Sequence, residues 1–482
     1  MLTAIWLLPA LAGIGCAFVR DRRAAKWLAV AAALATLALT AFVALRFDVH
    51  GHGYQFQESA PWIPQFHAHY LLGVDGISLW MIVLNAFIGL VAVLAIPART
   101  ARLGLFAGLL LLMEAGMGGL FMSTDLLLFY VFWEAMLIPA YFMIWAWGEG
   151  DRPQRAAIKF VLFTLVGSLL MLVGVVAEYA ATGSRSFDLT FLATHHPPAQ
   201  IQFALFFLFG LAFAIKVPIW PFHSWLPDAY MAAPTPMLVA FAGVMAKTGA
   251  YGFLRIVQPL FPHPTFWWNW TAVVPVLAVI GIIWGALLAL AQRDMKALVA
   301  YSSISHMGFI VLGIFAFNAE GQQGAIVQMV NHGIIVPALF LLVAWIAART
   351  GTRDRSALAG LAPRMPILAG IFMVVVLAAL GLPGLNSFAG EFMTLLGAWQ
   401  YDFVIAIVAT FGLIAAPIYL LRLFQGAMYG PELTPAGEGV VDIARHELGL
   451  ISPLVALMFV LGLYPLVLTR VMPALGQVMP WH

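Results

Sequence analysis

Charge is what this sequence has least of. Only 9% of its 482 residues are Asp, Glu, Lys or Arg, and 63% are hydrophobic, whereas an ordinary soluble domain is about 25% charged. A chain so poor in charge cannot solvate a globular surface of this size, so most of that surface faces lipid. The net charge of +2 is small and dispersed, which excludes nucleic acid and other acidic polymers as partners. Cysteine is as scarce: Cys16 stands alone, excluding disulfides, iron–sulfur clusters and thiolate zinc sites within the chain. The marks of a cleavable leader are scarce too, and none is expected. The first apolar run has no basic residues ahead of it and no small-residue cleavage site, while Arg20, Arg22, Arg23 and Lys26 follow it. That is the pattern of a retained helix with its N-terminus outside.

What the sequence has in abundance is apolar runs. Windows of about 20 residues, the length of a helical bilayer crossing, predict fourteen spans at 2–19, 24–45, 77–97, 103–123, 125–148, 157–181, 200–220, 234–260, 271–292, 296–317, 323–348, 367–400, 403–429 and 447–470. The expected fold class is therefore an all-α polytopic membrane protein. The run 367–400 is too long for one straight crossing and holds "GLPGLN" (381–386), so it is read as two half-helices about a break. The stretch "FAIKVPIWPFHSW" (213–225) likewise sets Lys216 beside Pro218 and Pro221 at the end of an apolar run. Backbone groups freed by such breaks are tolerated at membrane depth only where they are covered by protein or line a cavity. The lysine and the break thus need the same wet pocket. Interrupted helices at corresponding places, the seventh and the twelfth, point to an inverted-repeat transporter core. The expected organisation is peripheral helices and an outer loop over 1–98, five-helix repeats over 99–262 and 263–430, and a last helix within 431–482. Placement alone carries the repeat, since no residue-by-residue identity links the halves.

With the N-terminus outside, Arg99, Arg102, Arg152, Arg155, Lys159, Arg293, Lys296, Arg349, Arg353, Arg355 and Arg364 fall on the cytoplasmic side. The outer loops keep little beyond Arg46, Arg185, Arg255 and Arg470, as the positive-inside rule requires. The long outer loop 46–76 carries His50, His52, His67 and His69, read as solvated loop histidines because no zinc-type spacing links them. Trp133, Trp145, Trp147, Trp220, Trp225, Trp267, Trp268 and Trp270 lie near predicted span ends or breaks and are read as interface anchors. Met113, Met117 and Met122 are read as adaptable packing.

A short list of ionisable groups remains at membrane depth: Glu114 and Glu134 in spans four and five, Lys216 and Lys247 in seven and eight, His306 and His332 in ten and eleven, and Glu391 in twelve. A charge at mid-bilayer costs at least about 2.5–3.5 kcal/mol, so such groups face protein or trapped water and mark an ion route. Burial draws lysines and carboxyls toward neutrality by up to roughly 3–5 pKa units, where proton exchange is possible. Moving a proton against about 170 mV takes roughly 4 kcal/mol, the equivalent of a swing of about three units. Breaking one buried pair can therefore drive roughly one proton.

The strings "DLLLFYVFWEAMLIPAYFMIWAWG" (125–148), "AIKVPIWPFHSWLPDAYMAAPTP" (214–236), "AGVMAKTGAYGFLRI" (242–256), "QRDMKALVAYSSISHMGF" (292–309) and "GLPGLNSFAGEFM" (381–393) resemble the antiporter-like subunits of NADH–quinone oxidoreductase, bacterial respiratory complex I. Within that family they are most similar to the M-type chains, equivalent to mitochondrial subunit 4. The resemblance covers nearly the whole chain, including "PWIPQFHAHYLLGVDGISLWM" (61–81). An acid, Glu391, at the broken twelfth helix and the lack of a long lateral helix after span fourteen separate this type from its sisters. The resemblance implies that Glu134 and Lys216 form a gated pair, that Lys247, His332 and His306 carry protons along the mid-membrane axis, and that Glu391 exchanges them at the far end. Tyr230 in "LPDAY" departs from the histidine of many members, with Asp228 and His223 nearby; Glu114 has no assigned step.

The expected activity is that of a subunit of a proton-translocating NADH:quinone oxidoreductase in the bacterial inner membrane, with neighbouring antiporter-like subunits as partners. The resemblance implies no cofactor in this chain, with NADH, flavin, iron–sulfur clusters and quinone in partner subunits. A sodium/proton antiporter or membrane-bound hydrogenase subunit is the alternative on the same fold. A cytochrome-b-like carrier would need two spaced histidines on each of two helices, where His306 and His332 are single. A purely structural membrane spacer is disfavoured by the buried charges.

Overall fold

A computed structural model describes residues 1–51, 53–183, 185–263, 272–430 and 439–472. The expectations for His52, Trp267, Trp268 and Trp270 lie outside the described residues. The helices of eight residues or more are α1 (Leu2–Phe18), α2 (Arg22–Arg46), α3 (Gly76–Leu94), α4 (Leu103–Met122), α5 (Leu126–Trp147), α6 (Pro153–Ala181), α7 (Ala199–Lys216), α8 (Trp225–Ala232) and α9 (Thr235–Leu260). They continue with α10 (Val273–Ala291), α11 (Met295–Ile314), α12 (Ala319–Thr350), α13 (Pro366–Ala379), α14 (Asn386–Tyr401), α15 (Phe403–Met428) and α16 (Arg445–Leu463). Among the described residues, twelve helices are long and apolar enough to cross a membrane, and α1 and α13 are shorter apolar helices. The chain divides into two compact units. One is Met1–Pro218, Ala232–Val273 and the segment from Arg470; the other is Ile219–Met231 and Val274–Thr469.

Helix starts explain where many of the scarce acids went. The first amides of a helix have no partner within it, and lipid offers none. Asp21, Asp75, Asp125, Asp188, Asp294, Asp354 and Asp402 each accept a backbone N–H at the start of a helix or turn. Asp125, for example, takes Leu127 N at 2.9 Å and Leu128 N at 3.0 Å. Both breaks are present. α7 stops at Lys216 and helix resumes at Trp225, while α13 and α14 are separated by residues 380–385, where Gly381 and Gly384 adopt φ of +78° and +95°. Only glycine takes such angles without strain.

Small residues let helices approach closely. In the first unit α1 and α4 cross where Gly13 and Gly108 face each other: a Cβ on either would lie 2.7 Å or 2.4 Å from the other's carbonyl oxygen. In the second unit α12 and α14 meet at Gly324, where a Cβ would lie 2.5 Å from Thr394 N.

One departure from the all-helical expectation lies in the loop 46–76, which forms an antiparallel hairpin of β1 (Gln55–Ile63) and β2 (Ala68–Val74) with two register irregularities. Leu71 O accepts Thr124 N at 3.1 Å and Asp125 takes His69 N at 3.1 Å, so the hairpin is tied to the start of α5.

Candidate functional site

In the first unit the ionisable side chains collect around α5, α7 and α9. Lys216 ends α7, 1% exposed. Among the described residues its ammonium has no hydrogen-bond partner. It lies instead over two aromatic rings, 5.3 Å from the centroid of Trp133 and 5.9 Å from that of Phe160, a desolvated setting in which such contacts are worth about 2 kcal/mol. The charge acting on it is that of Glu134 on α5, through space rather than as a contact pair. Glu134 hydrogen-bonds Tyr130, one turn away, and leaves Oε1 without a partner.

Lys247 is fully buried on α9, which is not a regular helix. Residues Phe241–Met245 and Phe253–Val257 are π-helical, and the widened turn frees a carbonyl. Lys247 Nζ donates to the carbonyl of Ala242 at 2.5 Å.

In the second unit α11, α12 and α14 build a connected set. His306 Nδ1 lies 2.9 Å from Glu391 Oε1; the same oxygen accepts from Gln328 Nε2 at 3.1 Å and from Ser387 Oγ at 3.0 Å. Glu391 Oε2 has no partner among the described residues and faces Gly381 at the α13–α14 break, where a Cβ would come within 2.7 Å. Ser303, one turn before His306, hydrogen-bonds His332 Nε2 at 3.1 Å, and the two imidazole centroids are 5.9 Å apart. A cavity of about 10 Å³, near the lower limit for one water, is lined by His306, His332, Gln328 and Ser387 among others. Tyr230 on α8 is fully buried in this unit and engages Ser303. Trp284 Nε1 donates to His223 Nε2 at 3.2 Å.

Each expected residue is thus buried, apart from Glu134, whose side chain is partly exposed. Within their units Glu134 and Lys216 are brought into mutual influence, and His306, His332 and Glu391 into one network.

Several expectations are corrected. Arg255 is not an outer-loop residue: it is 7% exposed within α9 and pairs with Asp75 at the start of α3. Lys296 is not a solvated loop residue either; it is 4% exposed in the first turn of α11 and donates to Met231 O at 3.1 Å. Both positions lie at the ends of predicted spans, where hydropathy fades before burial does. Trp133 and Trp225, each 1% exposed, are core residues rather than interface anchors. Glu178 went unread: on α6 it is fully buried and neither oxygen has a partner among the described residues. An acid inside the apolar run 157–181 was the signal that could have found it.

The family profile described as "NADH:quinone oxidoreductase/Mrp antiporter, TM" matches residues 123–416. NADH-quinone oxidoreductase subunit M of Rhodobacter capsulatus is 41% identical over 458 residues, covering 93% of this chain and 88% of that protein. Among solved structures, a chain of respiratory complex I from Thermus thermophilus superposes with a TM-score of 0.91 at 35% identity, covering 99% of each chain. A chain of the Mrp complex from Dietzia sp. superposes at 0.87 with 23% identity, covering 99% of this chain and 97% of that one, a likeness of fold alone.

Proposed function

The chain belongs to the NADH:quinone oxidoreductase/Mrp antiporter family, and on that premise we propose the residues and steps by which it works. It is an antiporter-like, proton-translocating membrane subunit of NADH–quinone oxidoreductase, lying among other antiporter-like subunits in a bacterial inner membrane. It acts as part of a translocase and holds no redox centre; NADH, flavin, iron–sulfur clusters and quinone belong to partner subunits, whose electron transfer supplies the energy. Its N-terminus lies outside. The loop arginines support that orientation, and moving Lys296 and Arg255 out of the loops removes one charge from each side, leaving the bias intact.

Glu134 and Lys216 are the gated pair. When Glu134 approaches, the ammonium is held charged; when it withdraws, the desolvated lysine gives up its proton. The observation that carries this reading is Lys216 itself: a buried ammonium without a hydrogen bond, kept by two aromatic faces and by the field of a carboxylate it does not touch. A permanent structural ion pair would be in contact and saturated with hydrogen bonds. Lys247 receives the proton in the first half. In the second, His332 hands it by way of the Ser303 hydroxyl to His306, one turn further along α11, and His306 passes it directly to Glu391, the terminal exchanger.

The test is proton pumping by the reconstituted complex carrying Glu134→Gln or Lys216→Ala. The expected result is loss of pumping with subunit content preserved. Undiminished pumping at normal subunit content overturns the assignment.

A further inference from the structure

A second line of polar groups, separate from the Glu134–Lys216 pair, runs between α3, α4 and α9 in the first unit. At its buried end stands Glu114, 2% exposed, with neither carboxylate oxygen hydrogen-bonded among the described residues. Its carboxyl lies over Gly89 of α3, where a Cβ would come within 2.5 Å of Glu114 Cδ. One turn away on α3, Asn85 donates Nδ2 to the Glu114 carbonyl at 2.9 Å and leaves Oδ1 without a partner. Gly118 faces this amide, and Asn85 Nδ2 is the sole neighbour a Cβ there would meet within 4 Å among the described residues.

The line continues along the same helix faces. Ser78 and Asn85 are seven residues apart on α3, and so are Phe121 and Glu114 on α4, two turns or about 10 Å in each case. At that level Tyr251 Oη donates to Phe121 O at 2.9 Å and lies 3.2 Å from Ser78 Oγ, and Ser78 Oγ donates to Asp75 Oδ1 at 2.9 Å. Asp75 pairs with Arg255, which also reaches Tyr251 Oη at 3.3 Å and Ser78 Oγ at 3.4 Å. The side chain of Asp75 is 20% exposed, next to the hairpin that precedes α3, whereas that of Arg255 is 8% exposed.

Three buried oxygens without partners among the described residues require partners of their own, and ordered water is what satisfies such buried polar groups in proteins. We propose that this seam is a water-bearing proton branch from Glu114 to the aqueous face carrying the hairpin, closed by the Asp75–Arg255 pair. Each hydroxyl on the way accepts a proton on a lone pair and releases its own. A proton from Glu114 crosses water to Tyr251 Oη, the Tyr251 proton passes to Ser78 Oγ and the Ser78 proton to Asp75 Oδ1, and Asp75 releases it to solvent. The Arg255 guanidinium stays charged and sets how readily Asp75 lets go.

The proposal rests on the proton-translocating reading above and is tested on the reconstituted complex as protons moved per electron, beside NADH oxidation rate and subunit content. Glu114→Gln, Asn85→Leu and Tyr251→Phe are each expected to lower the ratio by the same share at unchanged electron transfer. The pair Glu114→Gln with Tyr251→Phe loses no more than either alone, since both interrupt one route. A wild-type ratio in the single variants, losses that add, or a fall in subunit content at constant ratio overturns the branch. Glu134→Gln run in parallel separates the two ideas: a wild-type ratio there refutes the gated pair, whatever the seam variants do.

Discussion

Gly381 and Gly384 offer an unusually clean comparison, because both have positive φ in the same break and differ in what a methyl group would strike. At Gly384, φ +95°, an added Cβ meets nothing within 4 Å; at Gly381, φ +78°, it lies 2.7 Å from Glu391 Oε2. Either alanine substitution carries the same backbone penalty, about 1–2 kcal/mol for a left-handed alanine. Gly381→Ala alone also forces the carboxylate back, by about 0.7 Å to reach ordinary contact near 3.4 Å. Oε1 is held by donors at 2.9, 3.0 and 3.1 Å, and a displacement of that size takes at least one of them out of hydrogen-bond geometry. A hydrogen bond to a charged group is worth about 1.5–3 kcal/mol, or roughly ten- to a hundredfold in rate when it falls on the transfer step. The assay is proton pumping and NADH oxidation by reconstituted complex, with subunit content as control. Both variants are expected to assemble with slightly lowered thermal stability, but Gly381→Ala loses at least tenfold in pumping where Gly384→Ala pumps near normally. Equal pumping by the two variants would refute the idea that the placement of Glu391, and not merely the break, matters.

Two further outcomes follow from groups outside the proposed routes. Asp442 accepts Ile367 N at 2.9 Å and Leu368 N at 3.0 Å at the start of α13. Burial pushes its pKa up, but these amides, that of Ile443 and the Arg349 charge outweigh it and hold the carboxyl below its ordinary value. Asp442→Ala should cost about 1 kcal/mol as a lost cap. Because the folded carboxyl titrates below the unfolded one, its contribution is complete above the unfolded value near 3.8 and fades as pH falls through the folded one. Thermal unfolding of the purified complex should show a gap from wild type that is full at neutral pH and narrows below about pH 4; a pH-independent gap refutes the cap. Glu178, fully buried with two unpartnered oxygens, is the opposite case. Glu178→Leu should raise stability by about 1–3 kcal/mol, the cost of an unsatisfied buried group, with pumping unchanged; a lower unfolding midpoint counts against this.

Much of this architecture could be read from the sequence, because lipid leaves backbone few options. Apolar runs gave the helices, and "GLPGLN" and "KVPIWP" gave the breaks, since glycine with positive φ and proline without an amide leave little choice. The in-membrane residues were found by their cost, and each proved buried except Glu134, which is partly exposed. What escaped notice depends on distance along the chain. The Asp75–Arg255 pair joins residues 180 apart, and no window along the sequence brings them together. Taken singly, Arg255 looks like the end of a span. The hairpin escaped for a related reason: its register rests on pairing Gln55 with Val74 and Ile63 with Ala68, and it is tied down by the start of α5, which the loop composition does not announce. Trp133 was misread because its position near Lys216 comes from two helices meeting, not from its own neighbours in sequence.

Charge and backbone irregularity coincide through this molecule, and the coincidence has a physical cause. Lys216 sits at the last residue of α7, Lys247 just after one π-helical segment and Arg255 inside another, while Glu391 faces the positive-φ Gly381. A regular helix consumes its own carbonyls and amides, so a charged side chain on it must find partners elsewhere; an interrupted helix offers a free carbonyl, a gap or both. Ala242 O at Lys247 is such a partner. Glu114 and Glu178 are exceptions, carboxyls on regular helix whose oxygens are both left bare among the described residues, and Glu114 has a further unpartnered oxygen close by in Asn85 Oδ1. On this argument Glu114 has to draw its partners from outside the protein chain, which is why water in the α3–α4–α9 seam follows from the same principle that places the lysines at the breaks.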